Sequence, residues 1–315
     1  MASNANEVVT DLSPLLKVYK DGTVKRLFGS PFVPPSPEDS PTGVSSKDVQ
    51  ISSNVSARLY LPKIPDGSVE KLPILIYFHG GGFCTESAFS LFFHRFLNLL
   101  VAESKVIAVS VEYRRPPEHL LPAAYEDSWA ALNWVADKKD PWLLNHGDSK
   151  KFYLGGDSAG GNIVHNILIR AGDEKLPSDL KIEGSFMTFP LFWGSKFEKS
   201  TERNDRSLAY KSWVLSYPSA PDGIDNPMIN PLADKTGLSK MGCSKLFVCV
   251  GDSKNDELRE ICDLYVEELK KLDGFSVDLG VVEGEFPCFH IFDPSSEKAQ
   301  NLIKRLASFM RGVMA

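Results

Sequence analysis

Apolar and polar positions along the 315 residues follow two periods in turn. Apolar runs predict strands over 55–61, 72–78, 105–112, 151–154, 184–189, 245–250 and 276–282. Several of these are apolar without a break, as in Leu72-Pro73-Ile74-Leu75-Ile76-Tyr77-Phe78, which is the mark of a strand buried on both faces of a parallel sheet. Helical spacing fills the intervals 122–137, 163–170, 256–271 and 296–310. In the first of these, Ala123, Trp129, Ala130, Leu132, Asn133 and Trp134 make a mostly apolar stripe. Strands alternating with helices predict an α/β fold built on a doubly wound, mostly parallel sheet. Two regions break the alternation. Residues 1 to about 45 precede the first expected strand, and 190–242 separates two strands while carrying Phe192, Trp193, Phe197, Tyr210, Trp213 and Tyr217. Sites in such sheets lie beyond the carboxyl ends of the strands, so both regions are expected to cap one. The aromatic residues either line that pocket or only hold the insertion onto the core. No internal repeat is evident, and one domain over 1–315 is expected.

The chemistry sits at two strand ends. Gly156-Asp157-Ser158-Ala159-Gly160 follows the run 151–154 directly and precedes a helical run, so G-x-S-x-G falls on a strand-to-helix turn. Such a turn is tight and pushes its serine out of the sheet edge, and Gly156, Ala159 and Gly160 supply the small neighbours it needs. The strand 72–78 ends in His79-Gly80-Gly81-Gly82-Phe83. Consecutive glycines leave backbone N–H groups unobstructed, so Gly81 and Gly82, with Ala159, are the candidate oxyanion hole. Candidate pocket residues are Phe83, Tyr113, Phe192, Trp193, Trp213 and Tyr217.

Charge and cysteine usage narrow the partners. A net charge of −6 argues against nucleic acid or an anionic membrane as partner. The five cysteines are scattered, odd in number and without metal-ligand spacing, which suits a reducing compartment. No basic segment followed by an apolar one opens the chain, and no apolar run approaches membrane-spanning length. These features give the expectation of a cytoplasmic protein with no metal; a small apolar molecule as substrate, no cofactor, and a monomer or homodimer are separate expectations.

With both motifs in place, the chain resembles the plant carboxylesterases of the hormone-sensitive-lipase group, within the α/β-hydrolase fold. The resemblance spans nearly the whole chain. It includes Val18-Tyr19-Lys20-Asp21-Gly22-Thr23-Val24, Pro117-Glu118-His119, Leu121-Pro122-Ala123-Ala124-Tyr125-Glu126-Asp127 and Asn226-Pro227-Met228-Ile229-Asn230-Pro231. In that fold the triad runs Ser, Asp or Glu, His along the chain. The resemblance implies Ser158 as nucleophile and Asp256 as acid, since Asp256-Glu257-Leu258-Arg259-Glu260 matches the family's D-x-L-R-D. A helix N-cap is the plainer role for Asp256, and both can hold together. Asp252 is the second candidate acid.

The histidine does not fit. Of six histidines only His290 follows Asp256. The family runs E-G-E-x-H-x-F-H-x-F-x-P here, with the first histidine catalytic. This chain reads Glu283-Gly284-Glu285-Phe286-Pro287-Cys288-Phe289-His290-Ile291-Phe292-Asp293-Pro294, so Pro287 stands at the base position and His290 matches the second histidine. Three residues displace a side chain by roughly 5 Å or more, beyond the reach of direct proton transfer. Two groups of relatives have left hydrolysis: the hydrolase-like cyclases of iboga and aspidosperma alkaloid biosynthesis, which eliminate acetate and guide a cyclisation, and the gibberellin receptors. The wording Gly82-Phe83-Cys84-Thr85-Glu86-Ser87-Ala88-Phe89 with Phe92-Phe93-His94 is similar to the cyclases, while the elbow and glycine run keep the esterase forms. The resemblance implies a lyase or cyclase of plant specialised metabolism. A carboxylesterase using His290 or another base and a small-molecule receptor are the alternatives.

Overall fold

A computed structural model describes residues 7–65, 67–176, 180–196, 207–253 and 256–312. The chain opens with three short antiparallel strands, β1 (Val8–Leu12), β2 (Leu16–Tyr19) and β3 (Val24–Arg26). The expectation that the first 45 residues hold no strand is therefore corrected. These strands are too short and too polar to show an apolar run; their trace in the sequence is the Asp21-Gly22 turn. Leu12, Leu15 and Leu16 bury the little sheet's inner side against Cys84.

Among the described residues the main sheet has eight strands, in chain order β4 (Ser45–Gln50), β5 (Ser56–Leu61), β6 (Leu72–Phe78), β7 (Ile107–Glu112), β8 (Gly147–Asp157), β9 (Ile182–Thr188), β10 (Lys245–Gly251) and β11 (Ser276–Val282). Their spatial order is β4-β5-β7-β6-β8-β9-β10-β11. Only the β4–β5 and β5–β7 pairs are antiparallel; from β7 to β11 the ladder is parallel.

Helices cover both faces: α1 (Leu91–Ser104), α2 (Ala123–Ala136), α3 (Pro141–His146), α4 (Ala159–Asp173), α5 (Leu208–Ser216), α6 (Lys235–Leu238), α7 (Arg259–Lys270), α8 (Phe289–Phe292) and α9 (Glu297–Arg311). The strand period of two divides the core. Ile74, Ile76 and Phe78 face α2, α4 and α7, while Leu75 and Tyr77 face α1 and α9. Helix α1 was not expected, because Leu91-Phe92-Phe93 and Leu99-Leu100-Val101 leave it no clear polar face. Helix α7 begins three residues later than expected; Asp256 lies outside it and accepts a hydrogen bond from the Leu258 N–H at 2.9 Å. In the β6–β8 ladder Phe78 pairs with Gly156, and this register sets the glycine run after β6 beside the serine after β8.

Candidate active site

Ser158 holds a positive φ of 51° with ψ −117° between β8 and α4. A non-glycine residue keeps such a conformation only where its surroundings over-determine it. Here the Ser158 N–H donates to the Thr188 carbonyl at 2.9 Å, and the Ser158 carbonyl accepts from the N–H groups of Leu191 at 2.8 Å and Asn162 at 3.0 Å. Gly160 has to be glycine because any Cβ would collide with the Phe78 carbonyl oxygen. That contact is what lets α4 start so close under β6. Across the gap, Gly82 has φ 60°, and a Cβ there would lie 2.8 Å from Ser212 Oγ. No described group accepts a hydrogen bond from the N–H of Gly81, Gly82 or Ala159, so all three donors are uncommitted.

Ser158, Gly81 and Gly82 border a cavity of about 520 Å³. The N-terminal segment contributes Pro14, Leu15 and Phe28 to its wall, and the insertion contributes Leu191 and, from α5, Leu208, Ala209 and Ser212. Phe92, Phe93 and Phe292, with Phe28, supply its aromatic surface. Its carboxyl groups belong to Glu86, Asp157 and Glu257, and no described lining residue is basic. Burial pushes the Glu86 carboxyl above its ordinary range against hydrogen bonds from Ser90 and Ser30.

Pro287 and Cys288 are on the cavity wall; none of the six histidines is. His290 is fully buried. Its Nε2 shares a hydrogen bond of 3.3 Å with Thr188 Oγ1, and its ring stacks on Phe189. Desolvation in this aromatic setting pushes its pKa down to about 3, so the imidazole is a poor base. No hydrogen bond joins Ser158 Oγ to any histidine. Asp256 is buried beside the site and close enough to Cys288 for its charge to raise the thiol's pKa. Asp252 is turned away, accepting from the Gly284 N–H at the surface.

The expected pocket aromatics are corrected by the structure. Phe83, Tyr113, Phe192, Trp193, Trp213 and Tyr217 do not line this cavity. Phe83 turns inward, edge-on to Tyr125. Tyr113 stacks on His79 and donates to the His79 carbonyl at 2.7 Å, bracing the strand end from below. Phe192 packs against His165 and Tyr265, and Trp193 is buried with its N–H on the Ile229 carbonyl. Trp213 donates from Nε1 to the Gly223 carbonyl and meets Tyr217 edge-on. Large aromatic side chains in an insertion carry the apolar area that fixes it to the core, and these do that. Phe197 lies outside the described residues.

A family model described as alpha/beta hydrolase fold matches residues 75–291. The chain belongs to the α/β-hydrolase family. It is 49% identical to 2-hydroxyisoflavanone dehydratase of Glycyrrhiza echinata over 98% of each chain. It is 48% identical to catharanthine synthase of Catharanthus roseus, covering 98% of this chain and 97% of that one. Among solved structures, carboxyl esterase 2 from Tuber melanosporum superposes with a TM-score of 0.73 at 21% identity, covering 88% of this chain and 90% of that one. This hydrolase-family chain is an enzyme, with relatives named as synthases and as dehydratases. Among its described residues, no helix is long and apolar enough to cross a membrane.

This α/β-hydrolase carries a further carboxyl group at the cavity that its sequence does not signal. Asp157, one residue before the elbow serine, also reaches the cavity wall. Its Oδ1 accepts from the Tyr77 hydroxyl at 2.7 Å and the Gly80 N–H at 3.1 Å. Burial nevertheless pushes its carboxyl up to about 7. Gly80 itself leaves room for this carboxyl, since a Cβ there would strike Asp157 Oδ2.

Proposed function

We propose that this enzyme has lost the hydrolytic histidine and works as a lyase or cyclase of plant specialised metabolism. It would eliminate a carboxylate, such as acetate, from an apolar amine of the monoterpene indole alkaloid type and guide closure of the reactive product. The observation that carries this reading is the wall of the cavity that Ser158 borders: Pro287 and Cys288 stand there, and no described histidine opens onto it. Without a base, Ser158 is a weak nucleophile and acyl transfer stalls. The free N–H groups of Gly81, Gly82 and Ala159 would then hold a substrate carbonyl, with Ser158 as a hydrogen-bond partner. A dry apolar cavity would keep the intermediate folded for ring closure. Kinship to a dehydratase and to catharanthine synthase supports elimination as the chemistry.

The lining also bears on the ligand. Three carboxyl groups and no described basic side chain favour a protonated amine over an organic acid. That separates this reading from a receptor for a gibberellin-like carboxylic acid. Free cysteines throughout the described chain support a cytoplasmic setting, and the enzyme would act as monomer or homodimer without a cofactor.

Incubation with an unstable, acetate-bearing enamine is the test. The enzyme is expected to yield one cyclised, optically active product where buffer alone gives a mixture. Unchanged spontaneous decomposition, with tight binding of a gibberellin-like acid, would replace the enzyme reading by the receptor.

A further inference from the structure

We propose that Asp157 and Cys288 together form the proton carrier of this cavity, taking the part of the absent imidazole. The inference rests on the eliminating reaction proposed above and assigns its base. Both residues line the cavity beside Ser158. Cys288 is held with φ 64°, a left-handed conformation, on the cavity wall between Pro287 and α8, near enough to Asp157 for the two groups to bias each other's ionisation. The carboxyl is fixed from behind by the Tyr77 hydroxyl and the Gly80 N–H, so it cannot rotate away.

The titratable groups facing it are Tyr77 from β6, Tyr113 from the end of β7 and Cys288. Asp256, after β10, faces Cys288 from the other side. Burial raises Tyr77, Tyr113 and Cys288 well above their ordinary values, so each keeps its proton at neutral pH. Asp157, pushed up to about 7, is the group in the cluster that exchanges one there.

The step balances within the cluster. A substrate C–H bond β to the leaving carboxylate breaks and its electron pair forms the new C=C bond, while the C–O bond breaks and the carboxylate departs with the pair of that C–O bond. The carbon's proton passes to Cys288 sulfur as the thiol's own proton passes to Asp157. Cys288 ends as it began and Asp157 ends protonated, then returns its proton to the departing carboxylate or to water. No oxidant or further reactant is required.

Infrared titration of the full chain reads the carboxyl without any turnover. The wild-type protein should show a protonated-carboxyl band with a midpoint near pH 7, absent in Asp157→Asn. Cys288→Ala should raise that midpoint, because the neighbouring thiol favours the carboxylate. It should also slow elimination from the ester-bearing enamine by about a hundredfold, with Cys288→Ser recovering part of the loss. Should Asp157→Asn fail to fold, Tyr77→Phe replaces it, and its midpoint should rise too. A wild-type midpoint below about pH 5, in the ordinary carboxyl range, or one that Cys288→Ala leaves unmoved, overturns the assignment. Failure of the substrate to react at all, with the band behaving as described, counts against the eliminating reaction and not against the Asp157–Cys288 pair.

Discussion

Replacing Pro287 by histidine is expected to raise hydrolysis of p-nitrophenyl butyrate by about a hundredfold, from a wild-type rate near background. Position 287 faces the cavity that Ser158 borders, and Asp256 lies buried on the same side. The backbone donors of Gly81, Gly82 and Ala159 are already free to receive an oxyanion. On the proposed reading, acyl transfer lacks only an imidazole to take the serine's proton, and triad members act as a unit, so supplying one should restore more than its own share. The gain should vanish in the double variant with Ser158→Ala. Esterase turnover already high in the wild type, and abolished by His290→Ala, would mean that His290 is the base. Its place against Thr188 and Phe189, with a pKa near 3, predicts that His290→Ala leaves the background rate alone.

Acid should destabilise this protein steeply, by about 2 kcal/mol for each pH unit between pH 6 and pH 5. His79, His165 and His290 are fully buried, and desolvation pushes all three down to about 3 from 6.5. Between those values the unfolded chain binds three protons that the folded chain refuses, so stability falls as pH drops. Asp157 has the opposite sign. Its folded pKa of about 7 lies above the unfolded 3.8, so it favours the folded state at low pH and gives that contribution up as pH rises through 7. Over pH 5–6 it offsets about one of the three histidine protons, leaving a net of roughly two, at about 1.4 kcal/mol per proton per pH unit and less near pH 6, where unfolded histidine is only partly charged. Urea unfolding at pH 7, 6 and 5 measures this. A midpoint unchanged from pH 6 to pH 5 would show that these imidazoles are not buried in the neutral form.

The parts of this fold that could be read in advance are those where local sequence and tertiary need agree. The run 72–78 forms a strand over those same residues because both faces are covered, and the elbow glycines are dictated by contacts as near as the one between Gly160 and the Phe78 carbonyl. Strands β1–β3 were hidden because they are short and stabilised by packing Leu12, Leu15 and Leu16 on Cys84, far along the chain. Pocket composition was harder still. Trp213 and Tyr217 are in the insertion as expected, yet they face the core, and the cavity's aromatic surface comes from Phe28, Phe92, Phe93 and Phe292 on three separate segments. Phe92 and Phe93 were already part of the motif shared with the cyclases, which was the available signal. Asp157 gave none, since an aspartate in a G-x-S-x-G turn reads as a turn residue until Tyr77 and Gly80 are seen to hold it.

The most direct test of elimination against hydrolysis is the fate of solvent oxygen. With an acetate-bearing amine substrate turned over in ¹⁸O-labelled water, elimination breaks the alkyl C–O bond and releases acetate with both original oxygens. Hydrolysis through an acyl-Ser158 places one solvent oxygen in every acetate. Unlabelled acetate formed in step with the cyclised product is the predicted result; acetate carrying one ¹⁸O would contradict the account.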